Sequence, residues 1–458
     1  MTLNRRQFAA GALASAASVS AAPAEPFKYR GYLGWITDLA TLPDTNAAWP
    51  SMKLDDPLLR DYKNTFRLMR EWKLQDLCIW GLYVSRSWPT DLPSAVPADR
   101  GRAVQKLIDD AHQHGVRVIS GLGVYSWGFD QILKAHPHLS KGNANAMCGS
   151  EDASWEWMRK VIDYVFTRFP IDGVSMQSAD QGRCPCDRCK RFTDTEYHVR
   201  LNIRCAEYIH SKYPGKLVAV SGWGMRFADP ASLPHLTALG KHIDYLIDVR
   251  DSSRQQDPTL RKRIISALPC AFGTLGGPQV EPPQHWPRDR WFLPTPRYAG
   301  EHLETLHAEG GRACEWFYHI LANPGCELST WVVAKVLADP ATGWRKHLNA
   351  SLEQIYKTTK PSLRDALAEA FLNAEHAYVR HIPTFCGTIS MEPLVSSSPG
   401  PPVYLTKRLT PAQRQAYGAD LKPVRAQFEK LTADVPEKNR MRMIVRCIDN
   451  VLKDIATA

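Results

Sequence analysis

Eight short runs rich in β-branched and aromatic residues alternate with amphipathic segments of helical length between residues 29 and 318. Such alternation predicts parallel strands joined by helices. Eight repeats within about 300 residues match the dimensions of a (β/α)8 barrel. A doubly wound sheet is the alternative, but no glycine-rich phosphate-binding turn follows the first run. We therefore predict an α/β fold, a (β/α)8 TIM barrel. Its predicted strands are Tyr29–Ile36, Leu77–Tyr83, Val116–Tyr125, Ile171–Gln177, Leu217–Trp223, Ile243–Val249, Ala267–Leu275 and Arg312–Tyr318.

The alternation stops near Asp339, and the rest of the chain has apolar residues at helical spacing. We predict a catalytic barrel domain over residues 25–338 and a helical C-terminal region over residues 339–458. Within that region, Trp344–Ala377 and Pro411–Ala458 are predicted to be helical. The helices predicted between the barrel strands include Leu59–Trp72, Arg102–His114, Trp155–Arg168, Tyr197–Tyr213 and Ala299–Glu309.

The first 24 residues have the pattern of a twin-arginine signal peptide. Arg5 and Arg6 precede Phe8, a mildly apolar stretch runs to Val19, and Ala22-Pro23-Ala24 offers small residues for cleavage. We expect the twin-arginine export machinery to carry the folded protein to the periplasm or outside the cell. No apolar run reaches the ~18 residues that a membrane span requires.

Positive charge favours anionic partners. The full chain carries a formal net charge of +10, and removal of Arg5 and Arg6 with the leader leaves +8. Anions are therefore attracted in general. The basic residues are scattered, however, and no basic arm typical of a nucleic-acid-binding protein occurs. We expect no nucleic acid as a partner. The charge favours a glycan or oligosaccharide, acidic ones included, as the partner, and a merely basic surface is the alternative.

Aromatic and polar residues recur where the predicted strands end. Barrel chemistry is carried at these C-terminal strand ends, and flat aromatic rings beside carboxylates are typical of sugar sites. The alternative is that part of the tryptophans simply pack in the core. The predicted substrate-binding residues are Trp35, Asp38, Trp80, Tyr83, Tyr125, Trp127, Gln177, Trp223, Asp248, Arg250, Trp316, Tyr318 and His319.

Two carboxyl groups are the candidates for acid/base or nucleophilic work, as glycoside hydrolysis commonly requires. Asp180 follows the fourth strand in a polar loop, and a loop-capping aspartate is the alternative for it. Glu315 lies within an apolar run, where desolvation would raise its pKa and suit a general acid. An ion pair with a barrel arginine is the alternative for Glu315.

Three of the eleven cysteines fall within six residues, as Cys184, Cys186 and Cys189. They predict either a structural metal site or a local disulfide with one spare thiol, and three free thiols are the remaining alternative. A tetrahedral zinc would need a fourth ligand, which Cys148 or a histidine such as His198 could supply. No cofactor is expected to be required for catalysis.

Several motifs occur together in this chain: His136-Pro137-His138, Met147-Cys148-Gly149-Ser150, Pro170–Ser175, Asp180, Cys184–Cys189, Trp316-Phe317-Tyr318 and Asn323-Pro324-Gly325. Together they resemble a bacterial TIM-barrel family with a C-x-C-x-x-C motif, distantly similar to alpha-glucuronidases and family 20 glycoside hydrolases. The resemblance spans about residues 130–380 and implies a carbohydrate-active barrel, with Asp180 on the loop that often holds a catalytic acid. Family 20 enzymes carry an Asp-Glu pair there, whereas Gln181 follows Asp180 in this chain.

The sequence as a whole predicts an exported glycoside hydrolase that uses carboxylate acid/base catalysis. A polysaccharide lyase acting on uronate-containing glycans is one alternative, since it fits the positive charge and would use Tyr, His or Arg for proton abstraction. A non-catalytic glycan-binding barrel is the other, because Gln181 cannot protonate a leaving group.

Overall fold

A computed structural model of the chain describes residues 25–35, 54–84, 87–249, 258–276, 292, 294–317, 324–381 and 409–457. The predicted TIM barrel is confirmed: eight parallel strands form a closed barrel in which each strand pairs with the next, and β8 pairs with β1. The strands are Tyr29–Trp35 (β1), Asp76–Trp80 (β2), Arg117–Gly123 (β3), Gly173–Gln177 (β4), Leu217–Ser221 (β5), Tyr245–Asp248 (β6), Ala271–Gly276 (β7) and Ala313–Phe317 (β8).

Helices follow the strands and continue beyond the barrel. Over the described ranges they are Asp56–Glu71 (α1), Ala98–Gln113 (α2), Asp130–Ala135 (α3), Asp152–Arg168 (α4), Asp187–Lys190 (α5), Asp194–Lys212 (α6), Leu233–Gly240 (α7), Pro258–Ala267 (α8), Pro296–Ala308 (α9), Pro324–Ala338 (α10), Trp344–Tyr356 (α11), Pro361–His381 (α12), Pro411–Leu431 (α13) and Lys438–Thr457 (α14). None of them is long and apolar enough to span a bilayer.

The strand side chains alternate between the barrel interior and the surrounding helices, as the two-residue period of a strand requires. Val118, Val174 and Val218 point outwards and are fully buried in the core that the helices cover. The inward positions carry several polar and aromatic residues, whereas branched aliphatic residues usually dominate a barrel interior. Packing alone therefore does not explain the composition of the barrel interior.

The N-terminal end of the barrel is filled by side chains from the first residues of four strands. The rings of Tyr29 and Tyr245 stack with centroids 4.7 Å apart. Arg117 Nε donates to the Asp76 carboxylate at 2.7 Å. Polar contacts at this end of a barrel serve stability, so the chemistry is to be sought at the opposite, C-terminal end.

The helix α10 completes the eighth βα unit and packs beside β1, where the Phe27 amide donates to the Leu337 carbonyl at 3.1 Å. The following helices form the predicted helical C-terminal region. Aromatic ring contacts join them to each other and to the segment before α9, through Phe292, Phe371 and Phe428.

Candidate active site at the barrel mouth

Glu315 occupies the interior of the barrel in a layer formed by the even-numbered strands. Its Oε1 accepts hydrogen bonds of 3.1 Å from Ser175 Oγ in β4 and of 3.1 Å from the Tyr245 hydroxyl in β6. Cys78 in β2 belongs to the same layer, since it interacts with both Ser175 and Glu315. Alternate strands contribute the layers of a TIM barrel in just this way. Glu315 as a whole is 4% exposed.

Burial sets the protonation of this layer. Desolvation raises the pKa of Glu315 to about 7, although the two hydrogen bonds oppose the shift. Burial and the neighbouring Glu315 also raise the pKa of Tyr245 well above its usual value, so its hydroxyl keeps its proton and donates it. A carboxyl with this pKa can hold or release a proton near neutral pH.

Two residues further along the strands, the next inward positions form the layer above Glu315, at the barrel mouth. They include Trp80 of β2 and Gln177 of β4. The indole of Trp80 lies against β3 at Gly121, where a Cβ atom would be 2.1 Å from Trp80 Cδ2. Any side chain at position 121 would displace this ring.

Two further tryptophans complete the mouth. Trp127, after β3, makes an edge-on contact with Trp80 at 5.2 Å between ring centroids. Trp223, after β5, packs against the interior cluster that contains Ile247 and Val249. Trp127, Trp223 and Gln177 are partly exposed, in contrast to the buried Trp80 and Glu315. The mouth therefore offers aromatic surface to a ligand above the buried carboxyl.

The loop after β4 carries Asp180, which is exposed. Its base is held by Ser178, whose Oγ bonds to His198 Nδ1 at 3.1 Å and accepts from Asn202 Nδ2 at 2.9 Å. Burial lowers the pKa of His198 to about 4, so this ring is neutral at physiological pH. The backbone amide of Gln181 donates to Ser126 Oγ at 2.8 Å. The loop is thus anchored on both sides of Asp180.

A close approach of the neighbouring loop confines the same segment. Gly224 has φ +84°, and a Cβ atom there would lie 2.3 Å from the Cβ atom of Ala179. A positive φ of this kind favours glycine. Position 224 therefore has both a conformational and a steric requirement for glycine.

Four of the predicted substrate-binding residues do not reach the mouth. The Tyr83 hydroxyl donates to the Val165 carbonyl at 2.6 Å among the helices. Tyr125 is likewise buried in the core between barrel and helices. Asp248 and Trp316 occupy strand positions of opposite phase to the inward Ile247 and Glu315, so both point outwards.

The remaining predicted residues of the site are described in part or not at all. Trp35 ends β1, and the structure describes its backbone only. Asp38, Arg250, Tyr318 and His319 lie outside the described residues.

The predicted cysteine cluster is brought together with Cys148. The sulfur atoms of Cys148, Cys184, Cys186 and Cys189 all lie within 4.8 Å of one another. His198, the alternative fourth zinc ligand predicted from the sequence, instead bonds to Ser178. Cys148, Cys184, Cys186 and Cys189 are free thiols.

Sequence reasoning did not identify Ser175 and Tyr245, the two donors to Glu315. They lie 140 and 70 residues from it along the chain. The sequence does contain a signal for Ser175. It precedes the predicted site residue Gln177 by two positions in the same strand, so both side chains point into the barrel.

No protein-family model and no curated protein matches this chain. Among solved structures, the chain is similar to a GH138 enzyme targeting pectin rhamnogalacturonan II. The TM-score is 0.57 at 12% identity, and the match covers 95% of this chain and 57% of that one. The chain thus spans little more than half the length of that enzyme, and the likeness shows a shared fold. A mutant of the Thermobaculum terrenum O-GlcNAc hydrolase has a TM-score of 0.49 at 11% identity, covering 90% of this chain and 78% of that one.

Proposed function

We propose that this protein is a glycoside hydrolase whose active site is the aromatic mouth of the barrel. The observation that carries the proposal is the placement of Glu315, a buried carboxyl with a pKa of about 7, one interior layer below Trp80. A carboxyl of this kind can hold a proton at neutral pH and deliver it to the oxygen of a leaving group. Buried groups with shifted pKa values in a cleft are candidate catalytic groups.

Asp180 is the proposed second carboxyl. It is exposed on the loop that follows β4, where it would act as the base or nucleophile. The two groups thus lie in contrasting environments, one buried and one exposed, which is the usual means of separating an acid from a base. The anchoring of this loop by Ser178 and Gln181 supports a positioning requirement at Asp180.

The aromatic side chains of the mouth support a sugar as the ligand. Trp80 and Trp127 contact each other edge-on, and Trp223 lies partly exposed across the mouth. Indole faces cover the apolar C–H faces of sugar rings. The fold shared with a GH138 enzyme that targets pectin rhamnogalacturonan II is consistent with a glycan substrate. The net charge, +8 without the leader, adds a preference for acidic glycans.

The proposed location of this activity is the periplasm or the cell exterior, reached by twin-arginine export. The supporting observation is the Arg5-Arg6 pair before Phe8. Replacing both arginines with lysine should retain the unprocessed protein in the cytoplasm, which fractionation and immunoblotting would detect. Equal export of the lysine variant would contradict this route.

The deciding experiment is a screen of the protein lacking residues 1–24 against neutral and acidic glycans. New reducing ends and ultraviolet absorbance are measured together, for wild type, Asp180→Asn and Glu315→Gln. Asp229→Asn, on the loop after β5, is the matched control, because asparagine can keep the cap to the Ala231 amide. New reducing ends that disappear in both site variants and persist in the control are expected.

Other outcomes identify the alternatives. Products with new absorbance would indicate a lyase, which forms a C=C bond. Glycan binding without any product would indicate a binding protein. Full activity in both site variants would contradict the proposed carboxyl pair.

A further inference from the structure

The cysteine cluster joins two loops on the C-terminal side of the barrel. Cys148 precedes α4, while Cys184 and Cys186 follow β4 and Cys189 lies in the short helix α5. The sulfur of Cys148 lies 3.7 Å from that of Cys186 and 3.8 Å from that of Cys189. All but Cys186 are buried. Thirty-six sequence positions separate Cys148 from Cys184, so the fold itself brings the fourth sulfur to the motif.

The spacing of the sulfurs fits one tetrahedral ion. Zinc–sulfur bonds of about 2.3 Å in a tetrahedron put the sulfurs about 3.8 Å apart. The two distances from Cys148 agree with this value, and the four sulfurs span no more than 4.8 Å. The centre of the cluster therefore suits a single ion.

A disulfide explains the arrangement less well. A disulfide joins its sulfurs at about 2.05 Å and selects one partner for each cysteine. Cys148 is instead nearly equidistant from Cys186 and Cys189. One disulfide would also leave two of the four converging thiols without a role.

The surroundings of the sulfurs resemble those of a thiolate site. Ser150 Oγ lies 3.2 Å from the Cys189 sulfur. Backbone amides of Ser150, Cys186 and Cys189 interact with the sulfurs of Cys148, Cys184 and Cys186 respectively. Hydrogen bonds to ligand atoms are the usual second layer of a metal site. The Arg183 guanidinium donates to the Cys189 carbonyl and brings positive charge to a site that four thiolates and Zn²⁺ would leave negative.

We propose that Cys148, Cys184, Cys186 and Cys189 bind one zinc ion that fastens the β4 loop to the loop before α4. Four protein ligands leave no open coordination position, so the ion is structural. The loop from Gln177 to Cys184 has Asp180 in its middle, and Asn143 Nδ2 donates to the carbonyls of Gln181 and Arg183 at 3.1 and 3.2 Å. The ion and Asn143 thus hold the same loop.

The first test uses the wild-type protein and requires no substrate, so it is independent of the proposed reaction. Purified protein is dialysed against zinc and then against metal-free buffer, and its metals are measured by mass spectrometry. One zinc per chain is expected, with an X-ray absorption spectrum of four sulfurs at about 2.3 Å. Zinc well below one per chain, iron in its place, or nitrogen and oxygen ligands would overturn the proposal.

The second test separates the cluster from the other thiols. Cys148→Ser and Cys189→Ser should lose most of the zinc, whereas Cys205→Ser, a buried cysteine of α6 outside the cluster, should keep it. Retention of zinc by both cluster variants would contradict the ligand set. If those variants do not fold, alkylation of the wild type replaces them: the four cysteines should be protected until a chelator is added. Equal alkylation with and without chelator would overturn the proposal.

The fastening role has its own measurement. Tryptic cleavage after Arg183, inside the fastened loop, should become at least about tenfold faster when zinc is removed, since cleavage requires local opening. Cleavage after Lys241, an exposed site following α7, serves as the control and should change little. Unchanged cleavage after Arg183 would show that the ion does not hold the loop.

Discussion

The Ser175 hydroxyl in β4 donates a 3.1 Å hydrogen bond to Oε1 of Glu315 in β8, so one buried carboxyl connects opposite sides of the barrel. The Tyr245 hydroxyl donates to the same oxygen from β6. A donor pair of this kind fixes the orientation of the carboxyl without neutralising it by an ion pair. The position of Glu315 is therefore defined by the barrel and not by a mobile surface loop.

Glu315→Gln should lower kcat by about 100-fold or more, because a positioned acid or base contributes roughly 10²–10⁴-fold. The amide keeps the shape of the side chain and can still accept from Ser175 and Tyr245. The measurement is kcat on a substrate found in the glycan screen. Glu375→Gln is the matched control, since Glu375 is also a buried glutamate with a pKa of about 7 but lies in α12. Similar losses in both variants would contradict a specific role of Glu315.

The pH dependence of wild-type kcat/KM should show a descending limb centred near pH 7. Burial raises the pKa of Glu315 to about 7, so the protonated acid is lost as the pH rises through that value. The residual activity of Glu315→Gln should lack this limb. A wild-type profile that stays flat from pH 6 to about 9 would be incompatible with Glu315 as the acid.

The stability of the fold should depend on the same ionisation. A carboxyl with a raised pKa binds more protons in the folded state than in the unfolded state between about pH 4.5 and pH 7, so its contribution to stability is lost as the pH rises through that range. The wild-type free energy of unfolding should fall relative to that of Glu315→Gln by about 3 kcal/mol between pH 4.5 and pH 8. Urea unfolding at several pH values measures the difference. Parallel curves for the two proteins would refute the pKa shift.

Trp223→Ala should raise KM by about tenfold with a small effect on thermal stability, because the indole is partly exposed and an aromatic contact is worth about 1 kcal/mol or more. Trp155→Ala is the control, since this partly exposed indole of α4 packs on Tyr208 on the helical side of the barrel. Kinetics and thermal melts of both variants check the prediction. An equal KM in wild type and Trp223→Ala would remove Trp223 from the sugar site.

Glu375→Ala should destabilise the protein by about 2 kcal/mol or more without changing the turnover of the folded fraction. The carboxylate accepts from the backbone amides of Arg297 and Tyr298, each at 2.8 Å, at the start of α9. Its removal would leave two partly buried donors unsatisfied. Urea unfolding measures the loss, and Glu369→Ala, an exposed position of the same helix, is the control. An equal loss in both variants would mean that the cap contributes nothing.

All eight strands could be predicted from the sequence, because the alternation of short β-rich runs with amphipathic segments is a local signal. The inward or outward orientation of individual strand residues is a local signal too. Glu315 and Trp316 are adjacent, so they cannot both face the interior of one strand. Asp248 likewise follows the inward Ile247 directly, and the structure places Asp248 on the outside.

The partners of the site could not be predicted in the same way. Ser175 and Tyr245 reach Glu315 only because the barrel closes, and closure depends on strand register across the whole domain. The four-sulfur cluster shows the same limit. The local motif indicated three of its members, whereas the choice between Cys148 and His198 depended on how two loops and α6 pack.

The contact between Trp80 and Gly121 limits how the mouth can be redesigned. A Cβ atom at position 121 would lie 2.1 Å from the Trp80 ring, so a larger residue at position 121 requires a smaller one at position 80. The two positions therefore have to be varied as a pair in any library meant to alter ligand preference. A pocket enlarged at position 80 alone would open towards β3, and an alanine or serine at position 121 would then adjust its depth.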